Sequence, residues 1–324
     1  MNGPAADPVV DPVVVALDVG GTLMKGAVVD PGRTMHEVRR WRTPRERGPD
    51  AVVDQALAAV DELVAVAPDA KAVGLVVPGV VDENTGVAVY SENIEWHDVD
   101  FRRLLGERTG LPVGFGHDVR AGGLAEREFG AAHGSDDVLF MPIGTGIAGA
   151  MFVDGRLVHN PYAGEIGHVY AGFDDPCACG AIGCLEAVAS GASVARRYER
   201  LSERAAAGAQ EVLELAEAGD QAAASVWDDA LEALTRVLVT YISILAPSRI
   251  VVGGGVSHAG EHLLGPLRER LRHRLVWQQM PELVTAALAD EAGCLGAALL
   301  ARRALTHPQF PDVVPTKEDE DIQS

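Results

Sequence analysis

VVVALDVGGTLMKGAVVD, residues 13–30, joins an apolar run, an aspartate, a Gly-Gly pair and a second apolar run. The valines, alanine and leucine ahead of Asp18 leave no polar face, which reads as a buried strand. Gly20 and Gly21 turn the chain, KGAVVD returns as a second strand, and Pro31-Gly32 marks a hairpin-like turn. Glycines at a strand end admit positive φ and let backbone N–H groups approach phosphate oxygens with no Cβ in the way. Asp18 could then hold Mg²⁺ through water, and the Thr22 hydroxyl could donate to a phosphate. The stretch is neither a Walker loop nor a dinucleotide fingerprint, since GKS/T and GxGxxG are both missing. A turn of this kind also closes ordinary hairpins.

Two further turns have the same character. IGTGIAGA, residues 143–150, places Gly144, Thr145 and Gly146 between two apolar stretches. VVGGGVS, residues 251–257, places Gly253, Gly254 and Gly255 at the end of another. Each is weak alone. Three glycine turns at strand ends, far apart in sequence, form the signature of a two-lobed phosphotransferase that grips ATP.

Between these turns the chain alternates. Val53, Leu57, Val60 and Val64 recur at helical spacing from Asp50 to about Ala67. AVGLVVPGVV and LPVGFGHD read as strands, and AGGLAEREFG as the first turns of a helix. Residues 13–130 therefore predict an α/β lobe with a largely parallel core. Residues 131–305 predict a larger α/β lobe. It holds two strands around the Gly-Thr-Gly turn, a third after Asp154-Gly155, and a Gly- and Cys-rich loop to about 186. Several Ala- and Leu-rich helices follow from about 192 to 246. The last helix, in GCLGAALLARRAL, is expected to pack back on the first lobe. Segments 1–12 and 306–324, the latter with the acidic run KEDED, are expected to be disordered.

The 324 residues carry 47 acidic and 27 basic side chains, a formal net charge of −20. So acidic a surface repels polyanions and argues against nucleic acid, anionic membrane and long polyphosphate as partners. ATP with Mg²⁺ stays compatible, because backbone amides and the metal handle its charge locally. No apolar run approaches the roughly 18–20 residues of a membrane span. The first residues lack a signal-peptide pattern, so a cytoplasmic location is expected.

Three of the four cysteines fall within eight residues. His168, Cys177, Cys179 and Cys184 give H-x8-C-x-C-x4-C, with Gly180 and Gly183 among the cysteines. Three thiolates and an imidazole complete a tetrahedral Zn²⁺ site with no open position, which makes such an ion structural. The other reading is three reduced cysteines in a glycine-rich loop. Cys294 sits apart in an apolar stretch and reads as a buried helix residue. Asp118 lies where a strand ends and a helix begins, so its carboxylate can take a proton from a hydroxyl as a γ-phosphoryl group arrives. Glu165, His168 and Glu186 flank the cysteine loop and make a plausible hydroxyl-binding surface. Singly, each acid also reads as a surface residue or a helix cap.

With these residues in place, the chain resembles the ROK family (repressors, open reading frames and kinases) from about residue 13 to 305. DVGGTLMKGAVVD is similar to its first phosphate motif and GTGIAGA to its second. GEIGHV followed by CACGAIGCLE is similar to its paired substrate and zinc motifs, and RIVVGGGVS to its adenosine motif. The resemblance implies a two-lobed actin-like ATPase (ribonuclease H-like) fold with a zinc-binding loop. It implies ATP with Mg²⁺, a structural zinc and commonly a homo-oligomer, dimer or tetramer. It makes Asp118 the catalytic base of an ATP-dependent kinase acting on the primary (6-) hydroxyl of a hexose or amino-hexose. It gives Gly79, Asn93, His117, Glu165, His168 and Glu186 to the sugar. Asp18, Gly20, Gly21, Thr22 and Lys25 go to the phosphates, with Gly144–Gly146 and Gly253–Gly255.

Three positions depart from the family pattern. His117 stands where Asn usually precedes the base, Glu92 where Pro precedes Asn93, and Arg120 where a small polar residue is common. An added carboxylate near a sugar ring suits an ammonium group, which raises an amino sugar such as kanosamine as a substrate. A cyclitol of antibiotic biosynthesis and a non-catalytic sugar sensor are the alternatives. The family's repressors carry a winged DNA-binding domain before the first phosphate motif. Here 12 residues precede that strand, so repression is not expected.

Overall fold

Val14, Val15, Ala16, Leu17 and Val19 are completely buried, and this run forms β1 (Val14–Val19) at the centre of a five-stranded sheet. A computed structural model describes residues 12–306. The segments expected to be disordered lie outside the described residues, apart from Pro12 and Thr306. The Gly20-Gly21 turn leads into β2 (Leu23–Val29), antiparallel to β1, and β3 (Met35–Arg42) pairs antiparallel with β2. Helix α1 (Pro49–Val66) starts with Pro at its first position, where the missing N–H costs nothing. It buries Val52, Ala56, Leu57, Val60 and Leu63 on one face. β4 (Val73–Val77) then runs parallel to β1.

Three short strands follow, β5 (Val80–Asp82), β6 (Val87–Tyr90) and β7 (His97–Asp100), as a separate antiparallel sheet. Helix α2 (Phe101–Thr109) is capped by Asp100, whose Oδ1 accepts from the Arg103 N–H at 3.0 Å. β8 (Val113–His117) lies parallel to β4 and completes the order β3-β2-β1-β4-β8. The core is thus mixed, not largely parallel as the sequence suggests. Tight turns join β1, β2 and β3, and only antiparallel strands can be joined that way.

Helix α3 (Asp118–Phe129) leads out of β8. Contacts divide the chain into two compact units, the first reaching Ala121 and resuming at Gly293, the second spanning Gly122–Ala292. The sequence puts the boundary after this helix, at residue 130. The division falls inside it because Gly122 and Gly123 present no Cβ to the second sheet. A Cβ on Gly123 would lie 2.6 Å from that of Ala150, and one on Gly122 3.3 Å from the Phe140 ring.

The second unit repeats the strand plan of the first. β9 (Val138–Pro142) and β10 (Ala150–Val153) flank the Gly-Thr-Gly turn, and β11 (Arg156–Leu157) adds an edge. Helices α4 (Leu185–Ala189), α5 (Gly191–Ser202), α6 (Ala209–Glu217) and α7 (Gln221–Leu245) follow. β12 (Arg249–Gly253) runs parallel to β9, and after α8 (Glu261–Arg274), β13 (Glu282–Thr285) runs parallel to β12. The order β11-β10-β9-β12-β13 has the same directions as the first sheet. Glu126 of α3 is fully buried as a backbone acceptor. It takes the N–H groups of Ala131 (2.7 Å), Ala287 (3.2 Å) and Leu288 (2.8 Å).

The last helix, α9 (Ala292–Thr306), belongs to the first unit. A Cβ on Gly74 of β4 would come 1.9 Å from the Ala297 carbonyl oxygen, and one on Gly114 of β8 would meet the Leu300 backbone at 2.2 Å. These glycines let helix backbone touch sheet backbone. Arg302 fastens the far end by donating to the carbonyls of Pro12 and Asp30. No helix among the described residues is long and apolar enough to cross a membrane.

Candidate active site and metal centre

In the first unit the β1–β2 turn is closed by Gly20 N–H donating to the Leu23 carbonyl at 3.0 Å. Thr43, buried just after β3, donates its hydroxyl to the Gly20 carbonyl (2.6 Å) and its N–H to the Thr22 carbonyl (3.0 Å). Thr22 itself is exposed at the tip. Asp18 is the last residue but one of β1, with buried Lys25 opposite it on β2. Burial, then repulsion from Asp118, pushes the Asp18 carboxyl up to about 7, against the pull of Lys25. The charge of Asp118 thus opposes ionisation of Asp18, and a dication relieves such a conflict.

Asp118 opens α3 where β8 ends, its side chain 27% exposed, with Oδ1 accepting from the Val119 N–H at 2.7 Å. His117 is buried and caps the helix: its Nδ1 accepts from the N–H groups of Val119 (3.2 Å) and Arg120 (3.4 Å). A ring accepting at Nδ1 carries its proton on Nε2 when neutral. Behind the cap, Arg120 Nε donates to Glu83 Oε1 at 2.8 Å, with both side chains at most 6% exposed. The same Glu83 oxygen accepts the His117 N–H at 3.2 Å.

Gly79 has φ 102°, and a Cβ there would come 2.2 Å from the Tyr90 carbonyl oxygen, so the backbone closes against β6 only without a side chain. Asn93 lies exposed between β6 and β7, and its carbonyl accepts from Arg45 Nη1 at 3.2 Å. Glu92 is exposed and takes the Tyr90 hydroxyl proton in a hydrogen bond. Gly21, Thr22, Thr43, Arg45, Asn93 and Glu95 help line a cavity of about 430 Å³.

In the second unit two glycine turns are woven together. Ile143 N–H donates to Gly253 (2.9 Å), Gly144 N–H to Gly146 (2.9 Å), and Val256 N–H to Ile143 (3.0 Å). Gly254, at φ 72°, lies where a Cβ would come 2.5 Å from the Ile143 oxygen. Thr145 is exposed at the tip, and Gly255 begins a short 3-10 turn. Glu186 of α4 joins them, its Oε2 accepting from the Ile147 N–H at 2.8 Å.

The ligand atoms of His168, Cys177, Cys179 and Cys184 all lie within 4.8 Å of one another. Cys177 Sγ is 3.7 Å from His168 Nδ1, and Cys179 Sγ is 3.7 Å from Cys184 Sγ. A tetrahedron with zinc–sulfur arms has edges of about 3.8 Å, so the donor set and spacing fit the ion. Burial, with Cys177 and Cys179 beside it, pushes the Cys184 thiol up to about 12. A bound dication reverses that preference. His168 turns Nδ1 to the sulfurs and Nε2 toward Glu165, 4.0 Å away. The loop is braced by Arg236, which donates to the carbonyls of Ala171 and Gly172, and by Arg197 and Arg200 on Asp175.

The sequence pattern of the ROK family matches residues 14–304. The chain belongs to the ROK family. It is 33% identical over 309 residues to a glucokinase of Thermotoga maritima, covering 89% of this chain and 97% of that protein. Its fold is similar to that of a ROK hexokinase from Thermus thermophilus, with a TM-score of 0.78 and 34% identity over 91% of this chain and 99% of the other. A ROK family glucokinase from Streptomyces griseus, solved with glucose and AMPPNP, gives a TM-score of 0.76 and 28% identity over 90% and 99%. The two repeated sheets are those of the actin-like ATPase fold, and the chain is glucokinase-like in both sequence and fold.

Within this ROK chain the first unit holds Asp18, Lys25 and Asp118, and carries Gly79 and Asn93 in the connections that flank the strands of the small sheet. The second gathers Glu165, His168 and Glu186 with the cysteines and both remaining glycine turns. Arg120 is a departure whose side chain is spent on Glu83. The partners that sequence reading missed are Thr43, Arg45 and Glu83, each far in sequence from what it holds. Losing one member of a buried ion pair costs about 3–5 kcal/mol, against about 0–1 kcal/mol for an exposed pair such as Arg103–Glu107. Urea denaturation is therefore expected to show Glu83→Ala destabilised by about 3 kcal/mol, with Arg103→Ala near wild type. Equal midpoints for both variants would remove Glu83 as a support of the Asp118 turn.

Proposed function

We propose that this ROK-family sugar kinase transfers the γ-phosphoryl group of ATP to the primary 6-hydroxyl of a hexose or amino-hexose, with Asp118 as general base. The observation that carries this reading is the partly exposed Asp118 carboxylate, anchored at a strand–helix junction, with Asp18 of the glycine turn close enough to feel its charge. Asp118 accepts the hydroxyl proton as the oxygen attacks phosphorus. Asp18 would hold Mg²⁺ through water, and that ion would supply neutralisation of the phosphate charge. Gly20, Gly21, Thr22 and Lys25 receive phosphate oxygens, as do Gly144, Thr145 and Gly146, and Gly253–Gly255 leave bare backbone for the adenosine.

Asn93, His117, Glu165, His168 and Glu186 hold sugar hydroxyls, and Gly79 lines the site. Were zinc held at Nδ1, His168 would keep its proton on Nε2, free to donate a hydrogen bond to a sugar hydroxyl. His168, Cys177, Cys179 and Cys184 would hold a structural zinc, which would fix the loop that carries Glu165 and Glu186. Exposed carboxylates at Glu92 and Glu95 on either side of Asn93 favour an ammonium-bearing sugar, such as glucosamine or kanosamine.

A coupled ADP-release assay with ATP and Mg²⁺ against glucose, mannose, N-acetylmannosamine, glucosamine, kanosamine and valienol-type cyclitols tests both levels. Turnover of at least one hexose or amino-hexose is expected, with an amino sugar at least matching glucose in kcat/KM. Glucose exceeding every amino sugar would end the role given to Glu92. Silence across the panel would overturn the acceptor class.

A further inference from the structure

The Asp18–Thr22 turn has a cation at its edge that the reading above leaves without work. Arg45 follows Thr43 by two residues, and its N–H donates to the Thr43 carbonyl at 2.9 Å. Thr43 in turn grips both Gly20 and Thr22, so the backbone that carries Arg45 is fixed to the glycine turn. The guanidinium folds back over that turn. Its Nη1 lies 3.9 Å from where a Gly21 Cβ would stand and donates to the Asn93 carbonyl at 3.2 Å. No carboxylate pairs with it among the described residues. Glu46, the nearest acid in sequence, pairs instead with Arg42.

A protein of net charge −20 has many acids available to neutralise an exposed arginine. Here the charge is left open, on the wall of a cavity it shares with Gly21, Thr22 and Asn93. Five N–H donors in a planar fork match the oxygens of a terminal phosphate, and one of the five is used on Asn93. Resting on the kinase reading, we propose that Arg45 binds the terminal phosphoryl dianion handled at the glycine turn, as the γ-phosphate of ATP or as the phosphate of the sugar product. Its hydrogen bond to Asn93 places that cation beside the loop assigned to the sugar.

The test uses full-length wild type, Arg45→Met and Arg45→Lys. Calorimetry measures AMPPNP·Mg²⁺ and glucose 6-phosphate, and turnover is read on the best panel sugar. Loss of one charge-assisted contact predicts affinity for one of the two ligands about 10- to 100-fold weaker in Arg45→Met, with partial recovery in Arg45→Lys. Weakened AMPPNP identifies the nucleotide as the source, and weakened glucose 6-phosphate identifies the product. Unchanged binding of both overturns the proposal. So does a loss confined to free-sugar affinity, which would make Arg45 only a brace for Asn93. Silence of the wild type on every sugar overturns the proposed acceptor class instead, while the AMPPNP comparison still decides Arg45.

Discussion

Asp118→Asn is expected to lower kcat by about 10²- to 10⁴-fold, the usual worth of a positioned general base, while sugar affinity stays within about threefold. The asymmetry follows from local geometry. Oδ1 of Asp118 is engaged by the Val119 N–H at 2.7 Å, and an asparagine oxygen keeps that bond and the turn. An amide cannot take the hydroxyl proton. The cap from His117 and the Glu83–Arg120 pair lie on other atoms and survive the change. Coupled ADP release gives kcat, and calorimetry without nucleotide gives sugar affinity. Complete loss of affinity would make Asp118 a principal ligand or a structural residue, and near-normal kcat would move the base elsewhere.

Stripping metal from the cysteine cluster should have a comparably large effect by another route. Elemental analysis is expected to give about one zinc per chain for a complete Cys₃His set, and Cys184→Ser should lose most of it. Structural zinc contributes roughly 10–16 kcal/mol of apparent binding energy, as much as a whole domain's stability. Cys184 leads directly into α4, whose Glu186 holds the Ile147 N–H of the Gly-Thr-Gly turn. Damage at the cysteine cluster should therefore reach the Gly-Thr-Gly turn. The variant should melt well below the wild type and lose turnover, although Cys184 is buried. Zinc-free protein that melts and turns over like the wild type would dismiss the metal centre.

What could be read from the sequence was local. The Asp18–Thr22 turn, the Gly-Thr-Gly turn and the cysteine spacing announce themselves because glycine and cysteine are chosen for backbone freedom and metal affinity, which short windows preserve. α1 was legible because its apolar spacing is regular. The strands β6 and β7 were not, being too short at four residues each to show a period, and β5 was read only as the end of the AVGLVVPGVV strand. Glu83 and Arg120 stand far apart in sequence, and neither has a distinctive neighbour. Arg120 read as a change in the sugar site, whereas its side chain turns inward to Glu83. Glu126 gave no signal, because three backbone donors arriving from two other loops leave no mark in a helical window.

The discontinuity of the first unit has a consequence for biosynthesis. Its sheet, complete at β8, receives α9 only after the whole second unit has been made. At ribosomal rates the intervening stretch of about 170 residues takes on the order of 10–30 s. Throughout that interval Gly74 and Gly114 leave bare backbone where α9 will pack. The nascent chain thus passes through a stage in which the sheet of its first unit is patterned but uncovered, and chaperone demand should concentrate there.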